Sequence, residues 1–398
     1  MTKNLRVLLG ISLLFGVATG AYELAHPLLL EAWGIKTQVM GFIFSLAGLA
    51  VLVARIYMGG LSDHLGRKRL YGWALAACGA ATAAVSTLPG IAFQIAARSV
   101  RDTAALTRET LHPIVVYEER ASGFLSRIGK FRGLEFLMLT LGTLLVGGLL
   151  SAFPLDKIRA YQWSLLIAGA IVAGGALWWA LGFRETYRPA SQQTLSLRGL
   201  FSLDMHPNLR ILLITGVIFA VGNQLSHSFY LPLFFRQHLH ADPRVVAVIM
   251  ILHRLTIALP MLLVGYLPIK NLRAWYIVTL ILEGVTMAAS AVIPQFYLAT
   301  GVFLLHDFIG ASIWTPIQAT LIQRYSRDER RGMEVGKVLA WGGLGAIVGP
   351  LGAGLLAKLG TGLPFLASGI VMGLACIPLF WLNPSAPSPN DVEQLVTV

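Results

Sequence analysis

The 398-residue chain is 56% hydrophobic, only 13% charged and formally +12 at pH 7, with a mean hydropathy of +0.70. That is too little charge to cover a soluble fold; a bilayer is the solvent that fits. The basic residues sit in short connectors and form no single basic domain, which excludes nucleic-acid binding, and Cys78 and Cys376 lie in apolar runs, which excludes a disulfide framework or zinc finger.

Twelve apolar runs of about 20 residues, the length that crosses about 30 Å of hydrocarbon, follow one another near 6–30, 38–59, 70–88, 90–116, 133–153, 161–183, 209–234, 244–267, 273–293, 296–322, 336–357 and 363–384. The first is too long for a signal-peptide core and is read as a helix; it carries Glu23 and His26. The second holds Arg55 and ends on Gly59, before the connector "GLSDHLGRKR". The fourth carries Arg98, Arg101, Asp102, Arg108, Glu109 and His112. Most of these recur every three or four residues, a polar stripe that must face protein or water, because an arginine facing lipid costs about 2.5–3.5 kcal/mol or more. Glu135, at the edge of the fifth span, is expected to be solvated. The polar connector 184–208 follows the sixth span. The seventh carries Asn223, Gln224 and His227, the eighth His253 and Arg254, and the ninth Glu283, with no partner in its own span. The tenth brings His306, Asp307, Gly310, Trp314 and Gln318 at helical spacing. The tail 385–398, rich in Pro and Ser, is expected to be disordered.

Lys and Arg positions orient the spans. The connectors facing the same side as both termini, with their flanks, hold 20 of the 31 basic residues. The opposite loops hold Lys36, Lys157, Arg159, Arg236, Arg244 and Lys358, and Arg55, Arg98, Arg101, Arg108 and Arg254 lie within spans. Positive charge stays inside, so both termini are expected in the cytoplasm. The halves echo each other: "ELAH" from Glu23 matches "QLSH" from Gln224, and Arg101–Asp102 matches His306–Asp307. The expected organisation is an N-terminal six-helix bundle (1–183), a cytoplasmic linker (184–208), a C-terminal six-helix bundle (209–384) and a cytoplasmic tail (385–398). Parallel six-helix repeats with a site near the midplane are a transporter architecture.

Gly59, Asp63, Gly66, Arg67 and Lys68 fit Gly-x-x-x-Asp-(Arg/Lys)-x-Gly-Arg-(Arg/Lys), and on this motif the chain resembles the major facilitator superfamily. His64 stands where the family has Arg or Lys. The resemblance implies an all-α membrane fold of twelve transmembrane helices in two six-helix bundles. It also implies a loop that latches the inner gate, and a cavity lined by the first, fourth, seventh and tenth helices. A second family pattern, Arg-x-x-Gln-Gly-x-x-Ala, is matched at Arg98 and Ala105, with Arg101 and Asp102 replacing Gln and Gly. The antiporter pattern Gly-x-x-x-Gly-Pro is absent from the fifth helix and appears in the eleventh, at Gly345, Gly349 and Pro350.

A small organic solute is the expected cargo, and arginines without lysines favour a carboxylate or phosphate through forked hydrogen bonds. Candidate contacts are His26, Arg98, Arg101, Arg108, Gln224, His227, Arg254, His306 and Trp314. Glu23, Asp307 and Asp102 are the candidate proton-coupling carboxylates. Glu23 and Asp307 each have a histidine and no arginine within a turn, and a carboxyl withdrawn from water and positive charge exchanges protons readily. An alternative cargo is a divalent metal or metal chelate, since Glu23, His26, His227, His306 and Asp307 suit transition metals. Their layout resembles that of ferroportin-type exporters. No hydrolase, zinc-protease or Walker motif occurs, so a carrier is favoured over an intramembrane enzyme or a non-transporting receptor, and neither an ATP-driven pump nor any cofactor is expected. The expected setting is a bacterial inner membrane, with lipid, solute and protons as partners and the chain a monomer.

Overall fold

The computed structural model describes residues 2–35, 37–187, 202–227, 230–241 and 243–387. Residues 188–201 of the expected linker and 388–398 of the tail lie outside the described residues, as does the side chain of Arg55. Among the described residues the fold is all helical.

The helices are α1 (Lys3–Ala32), α2 (Thr37–Leu65), α3 (Arg67–Ala84), α4 (Ile91–Glu119), α5 (Phe124–Ala152) and α6 (Lys157–Gly182), then α7 (Pro207–His227), α8 (Pro243–Leu263) and α9 (Leu272–Val292). α10 (Phe296–Ile309) and α11 (Ala311–Tyr325) divide the expected tenth span, α12 (Arg331–Trp341) and α13 (Gly343–Leu359) divide the eleventh, and α14 (Leu363–Leu374) begins the twelfth. Each expected span overlaps one or two of these helices, and the seventh runs past α7 into a short helix at Tyr230–Leu233. Nine helical stretches have the length and apolarity of a membrane span among the described residues. α2, α3 and α4 are not among them: the apolar part of α2 is Phe42–Leu52, α3 opens on Arg67, Lys68 and Arg69, and α4 carries the polar stripe. Several helices overrun the apolar runs, α5 by nine residues at its start (133 − 124). Hydropathy marks where hydrocarbon would end, but backbone hydrogen bonding continues into polar residues. Asp156 and Asn271 start α6 and α9 by accepting from the backbone N–H of Arg159 and Ala274.

In the first six helices α1 packs on α5 and α6, α3 on α4 and α6, and α2 on α4. The later helices repeat these pairings. α7 packs on α13 and α14, α9 on α10 and α14, and α8 on α10. Two crossings join the sets: α2 lies against α12 and α13, and α5 against α8 and α11. Small residues make the pairings close. A Cβ on Gly142 of α5 would stand 2.0 Å from the Val17 carbonyl oxygen of α1, and one on Gly345 of α13 2.4 Å from the Ala220 carbonyl of α7.

Candidate functional site

At the end of the molecule where α2 meets α3, the Asp63 carboxylate accepts from three donors. Arg67 Nη1 is at 2.7 Å, and the backbone N–H groups of Gly332 and Met333 are at 3.1 and 2.9 Å. The last two are in the first turn of α12, so a carboxylate from the first set of helices sits on the positive end of a helix from the second. Arg67, wholly buried, also pairs with Glu118 at 2.9 Å and lies under the Tyr187 ring. Gly66 adopts φ 85, a conformation that favours glycine and lets the chain turn from α2 into α3. Lys68 N–H donates to Glu185. Gly59 lies within α2.

Deeper between the helices, the α4 stripe separates into two groups. The first turns toward α1. Arg98 Nη1 donates to the Tyr22 hydroxyl at 3.1 Å and to His26 Nδ1 at 3.2 Å, while Arg98 and Arg101 both contact Asp102 at 3.1 Å. Arg101 also stacks over Tyr22 and Arg98 over Phe44. With Arg98 donating to Nδ1, the His26 Nε2–H donates to Gln94 Oε1 at 2.9 Å. Both ring nitrogens of His26 are thus engaged, and neither is free for a metal.

Glu23 faces away from that knot. It pairs with Arg254 of α8 at 3.0 Å and is about half exposed (47%). This corrects the expectation of a carboxyl without arginine: none lies within a turn of α1, but α8 brings one from 231 residues away. Arg101 Nε and Arg254 Nη1 are buried and have no hydrogen-bond partner among the described residues.

The second group on α4 is structural. Arg108 is fully buried and bound at every nitrogen, by both oxygens of Glu135 at 2.7 and 3.0 Å, by the Tyr71 hydroxyl and by Ser12. The expectation that Glu135 is solvated is overturned: it is 5% exposed, because α5 turns it inward to this guanidinium. Arg108, expected among the solute contacts, is committed to that pair. His112 joins the same network through Ser12 and Tyr71. Glu109 lies apart, lining a cavity with Arg132, Gln318 and Gln323.

The carboxyl of Asp307 also has neighbours that its own helix does not reveal. His227, His253, His306 and Asp307 each offer one side-chain nitrogen or oxygen, and these four atoms all lie within 4.8 Å of one another. His253, which comes from α8, was not among the expected ligands; Glu23 and His26, which were, lie outside the group. The helix stops at Gly310, where a Cβ would strike the His306 carbonyl and Glu283. Glu283 does have a partner, since Trp314 Nε1 donates to it, which ties up the indole expected to meet solute. Gln224 faces α13, beside Gly349.

A sequence model described as Major Facilitator Superfamily matches residues 8–270 and again 212–396. No curated protein matches the chain in sequence. Among solved structures, the human organic anion transporter MFSD10 (TETRAN) superposes with a TM-score of 0.76 at 17% identity, over 95% of this chain and 99% of that one. A bacterial homologue of the iron transporter ferroportin, in an outward-facing state, gives 0.73 at 17% identity, over 96% and 99%. At such identity the likeness is one of fold.

Proposed function

The chain belongs to the major facilitator superfamily and is a membrane transporter of that family, and we propose that it carries a small carboxylate-bearing organic anion by proton-coupled alternating access. The observation that carries the anion assignment is a pair of arginines, Arg101 on α4 and Arg254 on α8, that each hold a buried nitrogen without an acceptor among the described residues. A buried donor left unmade costs about 1–3 kcal/mol, and a carboxylate supplies the missing acceptor in forked geometry.

Twelve spans in two six-helix halves, rocking about a site between them, complete the reading. Its support is the recurrence of the α1–α6 pairings among α7–α14 and the two crossings that join the sets. The Asp63–α12 contact then closes the cytoplasmic side, with both termini in the cytoplasm of a cell whose inner membrane holds the monomeric protein. Glu23–Arg254 is the coupling element. A half-exposed ion pair is worth about 0–1 kcal/mol, so protonating Glu23 or offering Arg254 an anion suffices to exchange its partner.

Counterflow of small carboxylates in proteoliposomes, with a pH-sensitive dye inside, tests this. Arg101→Lys keeps the charge but loses the fork, and should raise KM at least about tenfold, some 1.4 kcal/mol. Glu23→Gln should abolish pH-driven accumulation while sparing exchange. Unchanged KM in the first variant removes the anion assignment; full pH-driven uptake in the second removes the coupling.

A further inference from the structure

We propose that His227, His253, His306 and Asp307 form a binding site for one divalent transition-metal ion, held between α7, α8 and α10. The site stands independently of the anion assignment, since it shares no residue with the arginine group.

The geometry is that of converging ligands. The three imidazole centroids form a nearly equilateral triangle, 5.5 Å from His227 to His253, 5.4 Å from His227 to His306 and 5.6 Å from His253 to His306. A tetrahedral ion with metal–nitrogen bonds of about 2.0–2.1 Å holds three ring centres about 5 Å apart. Asp307 Oδ2 supplies the fourth ligand; it touches His253 Nε2 and lies 3.3 Å from His306 Nε2.

These atoms lack other partners. Beyond these contacts with one another, His253 Nε2, His306 Nε2 and Asp307 Oδ2 are buried without a hydrogen-bond partner among the described residues, in residues that are 8%, 0% and 3% exposed. Three buried polar atoms with no hydrogen-bond partner outside their own cluster are poorly satisfied, and a cation shared between them coordinates all three at once.

The supporting contacts aim the rings as a metal site requires. His306 Nδ1 is engaged by the Phe303 carbonyl, and His227 Nδ1 by Ser226 Oγ at 2.8 Å. The Phe303 carbonyl can only accept, so His306 Nδ1 carries the proton and Nε2 keeps the free lone pair, and His227 matches it when its Nδ1–H donates to Ser226, the usual arrangement for a ligating histidine. Ser226 is itself held by Ser368 of α14 at 2.8 Å. Phe303, wholly buried, packs on all three rings. Three imidazoles and one carboxylate suit Zn²⁺, Co²⁺ or Ni²⁺ rather than Mg²⁺ or Ca²⁺, which take oxygen ligands.

The experiment uses the full chain in detergent, purified through a histidine-free tag and stripped with chelator. Co²⁺ is titrated in while its visible d–d absorption is followed, and Zn²⁺ is then added. One equivalent of Co²⁺ should saturate the band and Zn²⁺ should displace it. Asp307→Asn and His253→Gln should each raise Kd at least tenfold, and Ser226→Ala, which only loosens a ligand, about tenfold. The exposed His240→Asn should leave Kd unchanged. If both ligand variants lose the folded elution profile, His227→Asn and Ser226→Ala decide by the same criterion. A folded wild-type chain without a saturable one-equivalent band overturns the site, as does wild-type affinity in the folded ligand variants.

Discussion

Arg108 and Arg254 are both arginines within expected membrane spans, and helical periodicity treats them alike. Their partners separate them. Arg108 meets Glu135 in a fully enclosed, two-pronged pair, and removing one member leaves a buried charge uncompensated, at about 3–5 kcal/mol. Glu135→Ala should therefore lower the thermal unfolding temperature in detergent by many degrees. Glu23→Ala, which breaks the half-exposed pair with Arg254, should shift stability by about 0–1 kcal/mol. Equal shifts in the two variants would mean that the pairs do not differ in role as their burial implies. The partners themselves were hidden from the sequence. Glu135 lies 27 residues from Arg108 and Glu23 231 from Arg254, separations that no local pattern reports.

Helix pairing rests on glycines whose effect depends on what faces them. The pattern Gly345, Gly349, Pro350 was legible as a close-packing surface, and α7 is what it packs against. Gly345→Leu would drive a side chain into the Ala220 backbone, an overpacking cost of about 1–3 kcal/mol or more, and should reduce the folded fraction seen by size-exclusion chromatography. Gly147 of α5 has open space around its Cβ position. Gly147→Ala should leave that profile intact, with up to about 1 kcal/mol gained in helix propensity. The break at Gly310 was not legible, because a lone glycine in an apolar run is ordinary. Glu283, pressed against it from α9, is what requires the missing Cβ.

Across the whole molecule, the Asp63 contact joins the two sets of helices at the end where α2 turns into α3. Asp63→Asn keeps the shape but loses the charge facing the α12 N-terminus, which at a partly buried helix end is worth about 1–2 kcal/mol. Substrate turnover should fall at least several-fold while membrane insertion is retained; normal turnover would mean that the contact gates nothing. Orientation is testable by labelling with a membrane-impermeant maleimide, since Cys78 and Cys376 are both buried. In a cysteine-free background, Leu155→Cys between α5 and α6 should label from outside whole cells and Thr186→Cys only after lysis. The reverse pattern overturns the placement of both termini.

Composition and hydropathy determined that this is an all-helical membrane chain, and the Asp63–Lys68 motif placed it in its family. Both signals are local: apolar length reports hydrocarbon, and a short loop that must turn and cap helices tolerates few residue types. The sequence also marked α1, α4, α7 and the α10–α11 pair, with His253 and Arg254 of α8, as carrying polar groups, since charge in an apolar run stands out wherever it falls. Which groups meet was decided only by tertiary structure. His26 went to Gln94 and Arg98 rather than to a metal, and His253 arrived from α8 to complete a triangle with His227 and His306. A ligand set is a relation between helices distant in the chain. It depends on how each helix is rotated about its axis and how closely glycines let it approach its neighbours, quantities set by packing rather than by any one helix's own residues.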